Sequence, residues 1–354
     1  MGHGGLSLAL VLGGVNAACT NFRPPPRPPA PEVSATAPSE VWSATAGRRF
    51  TGPIAIRDTI LYGAGVDRKV YAVSLSNGRR LWSSRLGGLV AGGLILSGDT
   101  LYVGTSRPDG RVYALDRHSG KQLWRVATGP VGAPLSLASG VLVAESQSGE
   151  VYGIDPASGA VRWHPRLGVA RVAAEPVDSG FVIATVDSLF RIGARDGAVS
   201  ARARTPGTIL SPWLLHDGLL VAGTADSLIV GVRPTDLSLA WQARVDAPVL
   251  GSPAAIGDTL YAVSRRGTLF RIDPGCETSA VAVAEFDWAV SAPVTTMGDT
   301  ILLGGADGSI RAFRPDGVEV WRLQVWHPVE LPPVLLPDGL LAIGGNGDLH
   351  RYRK

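Results

Sequence analysis

The feature that most constrains this chain is a turn segment that recurs eight times at a nearly constant spacing. In each copy a two-residue turn separates two apolar runs rich in β-forming residues, as at Gly98-Asp99 and Gly257-Asp258. The second turn residues are Asp58, Asp99, Gly140, Gly180, Gly218, Asp258, Asp299 and Gly339, at successive spacings of 41, 41, 40, 38, 40, 41 and 40 residues. Such turns between apolar runs are typical of β-hairpins. Their regular period therefore predicts a repeat protein built from one supersecondary unit.

Three further sequence columns lie in phase with these turns. A third strand carries an aromatic residue at Tyr71, Tyr113 and Tyr152, and a turn with Gly78, Gly120 and Gly159 follows it. A fourth strand then carries a tryptophan in most copies, namely Trp42, Trp82, Trp124, Trp163, Trp241 and Trp321. In two weaker copies we expect the regions of Ala203 and Phe286 to take the place of the tryptophan. Each unit is thus predicted to contain four strands.

Four strands in about 40 residues, repeated eight times, predict an all-β fold. We expect residues 41–354 to form an eight-bladed β-propeller of four-stranded antiparallel blades. Blades stacked in a ring bury faces that a single sheet leaves open, and the Trp and Tyr columns suit the space between blades. The last repeat ends without a tryptophan strand of its own, while Trp42 precedes the first complete repeat. The N-terminal strand is therefore expected to pair with the last blade and close the ring.

The repeat resembles a known family. The segment Val112-Tyr113-Ala114-Leu115-Asp116, followed by Gly120 and Leu123-Trp124, is similar to the pyrroloquinoline-quinone (PQQ) dehydrogenase repeat, over almost all of residues 42–354. With eight blades and a lipobox-like start, the chain is most similar to the lipoprotein subunit of the outer-membrane β-barrel assembly machine. That resemblance implies a scaffold that docks on the periplasmic part of a barrel insertase. It carries over no contact residues, because the docking loops do not match.

The N-terminal residues are expected to be a targeting segment. Residues 1–18 read as a signal peptide, because the apolar stretch from Leu6 to Val15 is too short to span a bilayer. Small residues before Cys19 resemble a lipobox, which would make Cys19 the lipid-modified first residue of a Pro-rich linker over 19–40. Asn16 departs from that motif, so a simple secretory peptide or a misassigned start codon stays open. Lipidation predicts the periplasmic face of the outer membrane, and its absence predicts a secreted or periplasmic protein.

Composition and motifs argue against several functions. Lys and Arg number 33 against 30 Asp and Glu, and they are scattered, which disfavours nucleic-acid binding. Cys19 and Cys276 cannot form a zinc site, and Cys276 reads as an incidental loop residue, with a reactive thiol as the alternative. No metal-ligand spacing is found among the six histidines, which are His3, His118, His164, His216, His327 and His350.

A quinone dehydrogenase would need Ca²⁺ bound by Glu, Asn and Asp beside PQQ. Asn77 and Asn346 are better explained as turn residues, as are the aspartates Asp99, Asp258 and Asp299. A set of four arginines could mark a partner-facing or anion-binding surface, although scattered solvated arginines are the preferred interpretation: Arg202, Arg204, Arg265 and Arg266. The sequence thus predicts no catalytic, metal or cofactor residues.

The leading functional hypothesis is a non-enzymatic, protein-binding scaffold in the bacterial cell envelope. We expect a monomeric propeller that is membrane-bound by its lipid anchor alone, does not bind nucleic acid, and has a protein partner such as an outer-membrane barrel insertase. The alternative is a PQQ-dependent dehydrogenase-like or sugar-binding propeller of the periplasm. A third hypothesis, an extracytoplasmic sensor, would need a signalling partner.

Overall fold

A computed structural model describes residues 37–274 and 279–353 of the chain. Within these ranges the regular secondary structure consists of 32 β-strands, which form eight four-stranded antiparallel sheets. None of the described residues belongs to a helix with the length and apolar character needed to cross a membrane. The predicted eight-bladed β-propeller is confirmed.

The strands follow the chain four to a blade. Blades 1 and 2 contain β2 (Ala55–Arg57), β3 (Ile60–Gly65), β4 (Lys69–Ser74), β5 (Arg80–Arg85), β6 (Val90–Ser97), β7 (Thr100–Thr105), β8 (Arg111–Asp116) and β9 (Gln122–Ala127). Blades 3 and 4 contain β10 (Ser136–Ala138), β11 (Val141–Glu145), β12 (Val151–Ile154), β13 (Val161–Trp163), β14 (Glu175–Val177), β15 (Gly180–Ala184), β16 (Ser188–Gly193) and β17 (Val199–Arg204). Blades 5 and 6 contain β18 (Leu214–His216), β19 (Leu219–Gly223), β20 (Leu228–Val232), β21 (Leu239–Arg244), β22 (Ala254–Ile256), β23 (Thr259–Val263), β24 (Thr268–Ile272) and β25 (Ala280–Glu285). Blades 7 and 8 contain β26 (Thr295–Met297), β27 (Thr300–Gly304), β28 (Ser309–Phe313), β29 (Glu319–Gln324), β30 (Val334–Leu336), β31 (Gly339–Ile343), β32 (Asp348–Arg353) and, from the N-terminal side, β1 (Ser39–Thr45).

The four strands of a blade run from the ring axis outward, and we call them a to d. First strands of successive blades contact each other, as in β10 with β14 and β22 with β26, so strand a is the inner one. Strand d has an exposed outer edge. Because the strands are antiparallel, the a–b and c–d turns share one end of the ring, which we call the turn face. The b–c turns and the d-to-a connectors share the other end, which we call the connector face.

The ring is closed by its two chain ends, as predicted. Strand β1 pairs with β32, with Trp42 opposite Arg351 and Thr45 opposite Asp348, and it forms strand d of blade 8. The strand begins at Ser39, two residues before the expected start of the propeller. Side chains support this pairing, since the Thr45 hydroxyl donates to Asp348 at 2.5 Å. The N-terminal strand thus covers an edge of blade 8 that would otherwise be open.

Neighbouring blades are joined by a contact that we call the Trp–Gly latch. The indole of Trp82 in blade 1 donates its N–H to the carbonyl of Arg117 in blade 2, at 3.0 Å. Its ring lies against Gly120, where a Cβ would sit 2.6 Å from Cε3 of the indole. Gly120 also has a φ of +68°, so the turn and the tryptophan both require glycine. Three more interfaces repeat this latch. The indole N–H groups of Trp42, Trp124 and Trp163 donate to the carbonyls of Leu75, Pro156 and Ala194, respectively. Their rings lie against Gly78, Gly159 and Gly197 in the same order.

The interface between blades 4 and 5 fills the same space in the opposite way. Ala201 stands at the tryptophan position of blade 4, and Leu237 stands at the glycine position of blade 5 with a φ of +62°. Leu237 is buried, and Ala201 packs against the cluster that contains it. A small residue on one side and a large one on the other therefore replace the Trp–Gly pair. The interface requires a filled volume rather than a tryptophan as such.

Two details predicted from spacing are wrong. The tryptophan position of blade 4 is Ala201 rather than Ala203, because positions two apart share one face of a strand and spacing cannot separate them. In blade 6, Phe286 follows the last residue of β25 and packs on Phe313, with ring centroids 4.9 Å apart. There the c–d turn between Ile272 and Ala280 holds seven residues, whereas the turn between Leu115 and Gln122 in blade 2 holds six.

In three of the eight a–b turns, the residue assigned to the second turn position from the sequence is wrong by one position. Asp58 is the first residue of its turn, whereas Gly180 and Gly339 each begin strand b. At Gly180 a Cβ would lie 2.1 Å from the carbonyl oxygen of Ile192, and at Gly339 2.1 Å from that of Tyr352. These glycines are needed because strand c comes close, so they mimic turn glycines in the sequence.

The latch can be tested by exchanging its two halves. We expect Trp82→Ala to lower the free energy of unfolding by about 3 kcal/mol through a cavity, and Gly120→Leu to lower it by about 2 kcal/mol through overpacking. The double variant should be less destabilised than the sum by about 1–2 kcal/mol, because it copies the pair of Ala201 and Leu237. Urea denaturation of the four proteins measures this coupling. Additive losses would show that the two positions do not share one space.

Candidate functional site

The two faces of the propeller differ in their exposed apolar side chains. Of the large hydrophobic residues that are exposed among the described ones, six lie on the connector face: Val66, Leu89, Val169, Val186, Leu250 and Trp326. The turns of the turn face carry one, Val318. The others lie on the inner or outer strands. Isolated exposed hydrophobics are common on proteins, but an excess on one face is typical of an interaction surface.

A pocket opens on the connector face where blades 6, 7 and 8 meet. It has a volume of about 320 Å³, and the connectors between blades line it with Leu250, Pro293 and Glu330. Arg265, in the b–c turn of blade 6, adds a positive charge. Glu330 also forms an ion pair with Arg49 in the connector from blade 8 to blade 1, at 2.7 Å. The pocket therefore joins an apolar wall to a charged rim, which is typical of a binding site.

The tyrosine column acts on this same face. The Tyr71 hydroxyl donates to Asp67 in the b–c turn of blade 1 at 2.5 Å, and Tyr113 donates to Asp109 in blade 2. Tyr152 donates to Glu150 at 2.9 Å. Burial and the bond to Asp67 raise the pKa of Tyr71 to about 12, so it stays a donor at neutral pH. These tyrosines hold the carboxylates of the turns against the protein.

A buried carboxyl group lies at the connector end of strand b in blade 3. Glu145 is 2% exposed, and neither of its carboxylate oxygens has a hydrogen-bond partner among the described residues. The equivalent residues of the other blades are Ala64, Gly104, Ala184, Gly223, Val263, Gly304 and Ile343. Burial raises the pKa of Glu145 well above its usual range, and the nearby amide of Ala174 opposes this only in part.

A second acidic group lies in the adjoining blade. Glu175 begins strand a of blade 4, and burial raises its pKa to about 7. The sequence analysis singled out neither glutamate. A signal was present at position 145, however, because a charged residue stands there where the other repeats have Ala, Gly, Val or Ile.

Glu145 predicts a pH-dependent stability. The folded protein favours the protonated form, so it binds more protons than the unfolded chain, and stability falls as pH rises from about 4.5 through the raised pKa. We expect Glu145→Gln to match wild type in unfolding free energy at pH 4 and to exceed it by about 1–3 kcal/mol at pH 8. Urea denaturation at both pH values measures this. Glu175→Gln is the companion variant, whose gain in stability over wild type should develop between pH 4.5 and about 7 and persist at higher pH. Equal stability of Glu145→Gln and wild type at pH 8 would contradict the assignment.

The residues considered for metal or cofactor chemistry do not converge. Among residues 37–274 and 279–353, no three His, Cys, Asp or Glu side chains form a set that could hold a metal ion. Asn77 and Asn346 each accept a backbone N–H two residues ahead, at 3.0 and 3.1 Å, as turn residues do. Asp99 pairs with Arg117 at 2.7 Å, and this hydrogen bond lowers the pKa of Asp99. Cys19, Cys276 and His3 lie outside the described residues.

The described histidines and the candidate arginines also form no single cluster. His118 and His216 face carboxylates in blades 2 and 5, whereas His327 and His350 face Asp348 and Glu40 in blade 8. His164 stacks on Tyr152. Arg202 and Arg204 line an outer depression of blade 4, whereas Arg265 lines the pocket between blades 6 and 8. The four arginines grouped from the sequence therefore do not form one surface.

Comparisons with known proteins show one family over more than half of the chain. The family model described as outer membrane protein assembly factor BamB matches residues 31–177 and 168–275. BamB of Xanthomonas campestris pv. campestris is 28% identical over 52% of this chain, and the chain covers 48% of that relative's length. BamB of Bordetella pertussis is 24% identical over 85% of this chain and 84% of its own length.

Among solved structures, the crystal structure of BamB from Moraxella catarrhalis superposes with a TM-score of 0.76 at 18% identity. The superposed region covers 90% of this chain and 98% of the Moraxella catarrhalis chain, and the match supports the fold. The matched family ranges span more than half of the chain. The chain therefore belongs to the family of the outer membrane protein assembly factor BamB.

Proposed function

We propose that this protein is a non-enzymatic, protein-binding scaffold that serves as an accessory factor in outer-membrane protein assembly. Its family is named for such assembly factors. The observation that carries the proposal is the connector face, which carries exposed apolar side chains and a pocket with a charged rim. Surfaces of this composition suit protein partners, because aromatic, aliphatic and Arg side chains supply most of the binding energy at interfaces.

The described residues do not fit the Ca²⁺ and PQQ of the rival hypothesis. Such a site needs carboxylate and amide oxygens that converge on one ion. On the connector face, Asp67 and Asp109 instead bond to tyrosine hydroxyls and Glu330 pairs with Arg49, while Asn77 and Asn346 serve turns. We therefore favour binding over redox catalysis.

The anchor is a further part of the proposal, although residues 1–36 lie outside the described range. Cleavage after Ala18 and lipidation of Cys19 would hold the propeller at the periplasmic face of the outer membrane. Between Cys19 and the first residue of β1, Ser39, the chain has 19 residues. At about 3.1 Å per residue, an extended Pro-rich segment of that length reaches roughly 60 Å.

The partner can be tested by crosslinking in the native host followed by pull-down and mass spectrometry. We expect wild type to recover a β-barrel insertase of the outer membrane. Leu250→Ser should lower that recovery about tenfold, because a leucine buried at an interface contributes about 1.5–3 kcal/mol. Leu123→Ser is the matched control, since Leu123 is 56% exposed on an outer strand and Leu250 is 50% exposed. Failure of wild type to recover any assembly component would refute the proposed function.

The anchor can be tested by fractionation. We expect wild type in the outer-membrane fraction and Cys19→Ser in the soluble periplasmic fraction, because a lipid chain is the proposed means of attachment. Immunoblots of the two fractions, with Leu123→Ser as a control that keeps Cys19, measure the distribution. A soluble wild-type protein would remove the lipid anchor from the proposal.

A further inference from the structure

A strip of arginines crosses the connector face from blade 8 to blade 2. We call it the basic groove, and it is lined by Arg48, Val66, Arg68, Arg85, Leu89, Arg107 and Pro108, together with one acidic residue, Asp67. It consists of two shallow depressions of about 500 and 380 Å³, and Val66 lines both. Val66 and Leu89 are exposed apolar residues between the arginines. The groove therefore combines positive charge with apolar contact area.

The positive charge of the basic groove is not neutralised within the described part of the chain. Arg48, Arg68, Arg85 and Arg107 form no ion pair with any described residue, whereas the neighbouring Arg49 pairs with Glu330. A guanidinium with no local counter-ion is available to an incoming carboxylate.

The carboxylates of the same turns are directed inward. Asp67 accepts the hydrogen bond of Tyr71, and its side chain is 21% exposed. Asp109 accepts from Tyr113 and pairs with Arg111, and its side chain is 16% exposed. The b–c turns of blades 1 and 2 therefore hold their aspartates with tyrosine hydroxyls, while Arg107 is exposed and Arg68 is half-buried.

Main-chain hydrogen bonds hold the groove in place. The carbonyl of Arg68 accepts from the amide of Leu86 at 2.8 Å, and the carbonyl of Arg107 accepts from the amide of Leu89 at 3.2 Å. The amide of Val66 donates to the carbonyl of Arg49 at 2.9 Å. The groove is thus built into the backbone, which lowers the entropy lost when a partner binds.

We propose that the basic groove binds an acidic segment of a partner protein, with carboxylates on the arginines and an apolar side chain against Val66 and Leu89. The inference deepens the proposed function and rests on it for the presence of a protein partner. A protein segment suits the groove better than a bilayer, because its apolar residues line depressions, which admit a protruding chain and face away from a flat membrane surface.

The experiment measures binding of a fluorescent peptide that alternates Asp or Glu with Leu, by anisotropy at low and at physiological salt. We expect wild type to bind it, with weaker binding as salt increases. The double variant Arg85→Glu/Arg107→Glu should bind at least about tenfold more weakly, since two attractive pairs become repulsive. Arg195→Glu/Arg244→Glu is the matched control, because both arginines are exposed, lie outside the groove and form no ion pair with the described residues.

Two further probes separate the possible ligands. A peptide with Lys in place of the acids should not bind, and vesicles of phosphatidylglycerol should bind no better than vesicles of phosphatidylcholine. The inference is overturned by equal binding of the acidic peptide to both double variants, by no binding to wild type, or by a preference for phosphatidylglycerol that Arg85→Glu/Arg107→Glu abolishes. Recovery of an assembly component by wild-type protein in the pull-down would leave the proposed function standing in each of these cases.

Discussion

The faces of each blade are covered only by its neighbouring blades. At the interfaces between blades 8 and 5, counted through blade 1, a large side chain packs over a small one. At four consecutive interfaces a tryptophan ring lies over a turn glycine and donates its N–H to a carbonyl of the neighbouring blade. At the fifth, Ala201 and Leu237 divide the same space in reverse. The N-terminal strand β1 closes this ring by pairing with β32.

The latch residues lie at one end of the ring only, and this explains why the two ends differ. The turn face carries the short hairpin turns and the glycines of the latch, so its residues are constrained by packing. The connector face carries segments that cross between blades, and their outward side chains take no part in the latch. Exposed apolar residues, the pocket beside Leu250 and the basic groove all lie there. The tyrosines link the two roles, because they pack inside a blade and bond to carboxylates at the connector face.

Sequence periodicity predicted the blade count, the antiparallel blades and the closing strand, because each depends on a pattern repeated many times. It failed at Ala203, Phe286, Gly180 and Gly339, where a single position had to be assigned. A two-residue shift leaves a side chain on the same face of a strand, and a glycine forced by a close carbonyl looks like a glycine in a turn.

The sequence by itself determined that this chain is a ring of eight similar blades, because regular spacing and the Trp and Gly columns are local properties that add up along the chain. Only the tertiary structure decided which side chains share a surface. Arg202 and Arg265 are separated in space, whereas Arg48 and Arg107 line adjoining depressions across three blades. Burial of Glu145 and the inward direction of Asp67 were likewise settled by neighbours distant in sequence or by backbone geometry. Spacing specifies the blade, and the packing of blades around the axis specifies the face that a partner can meet.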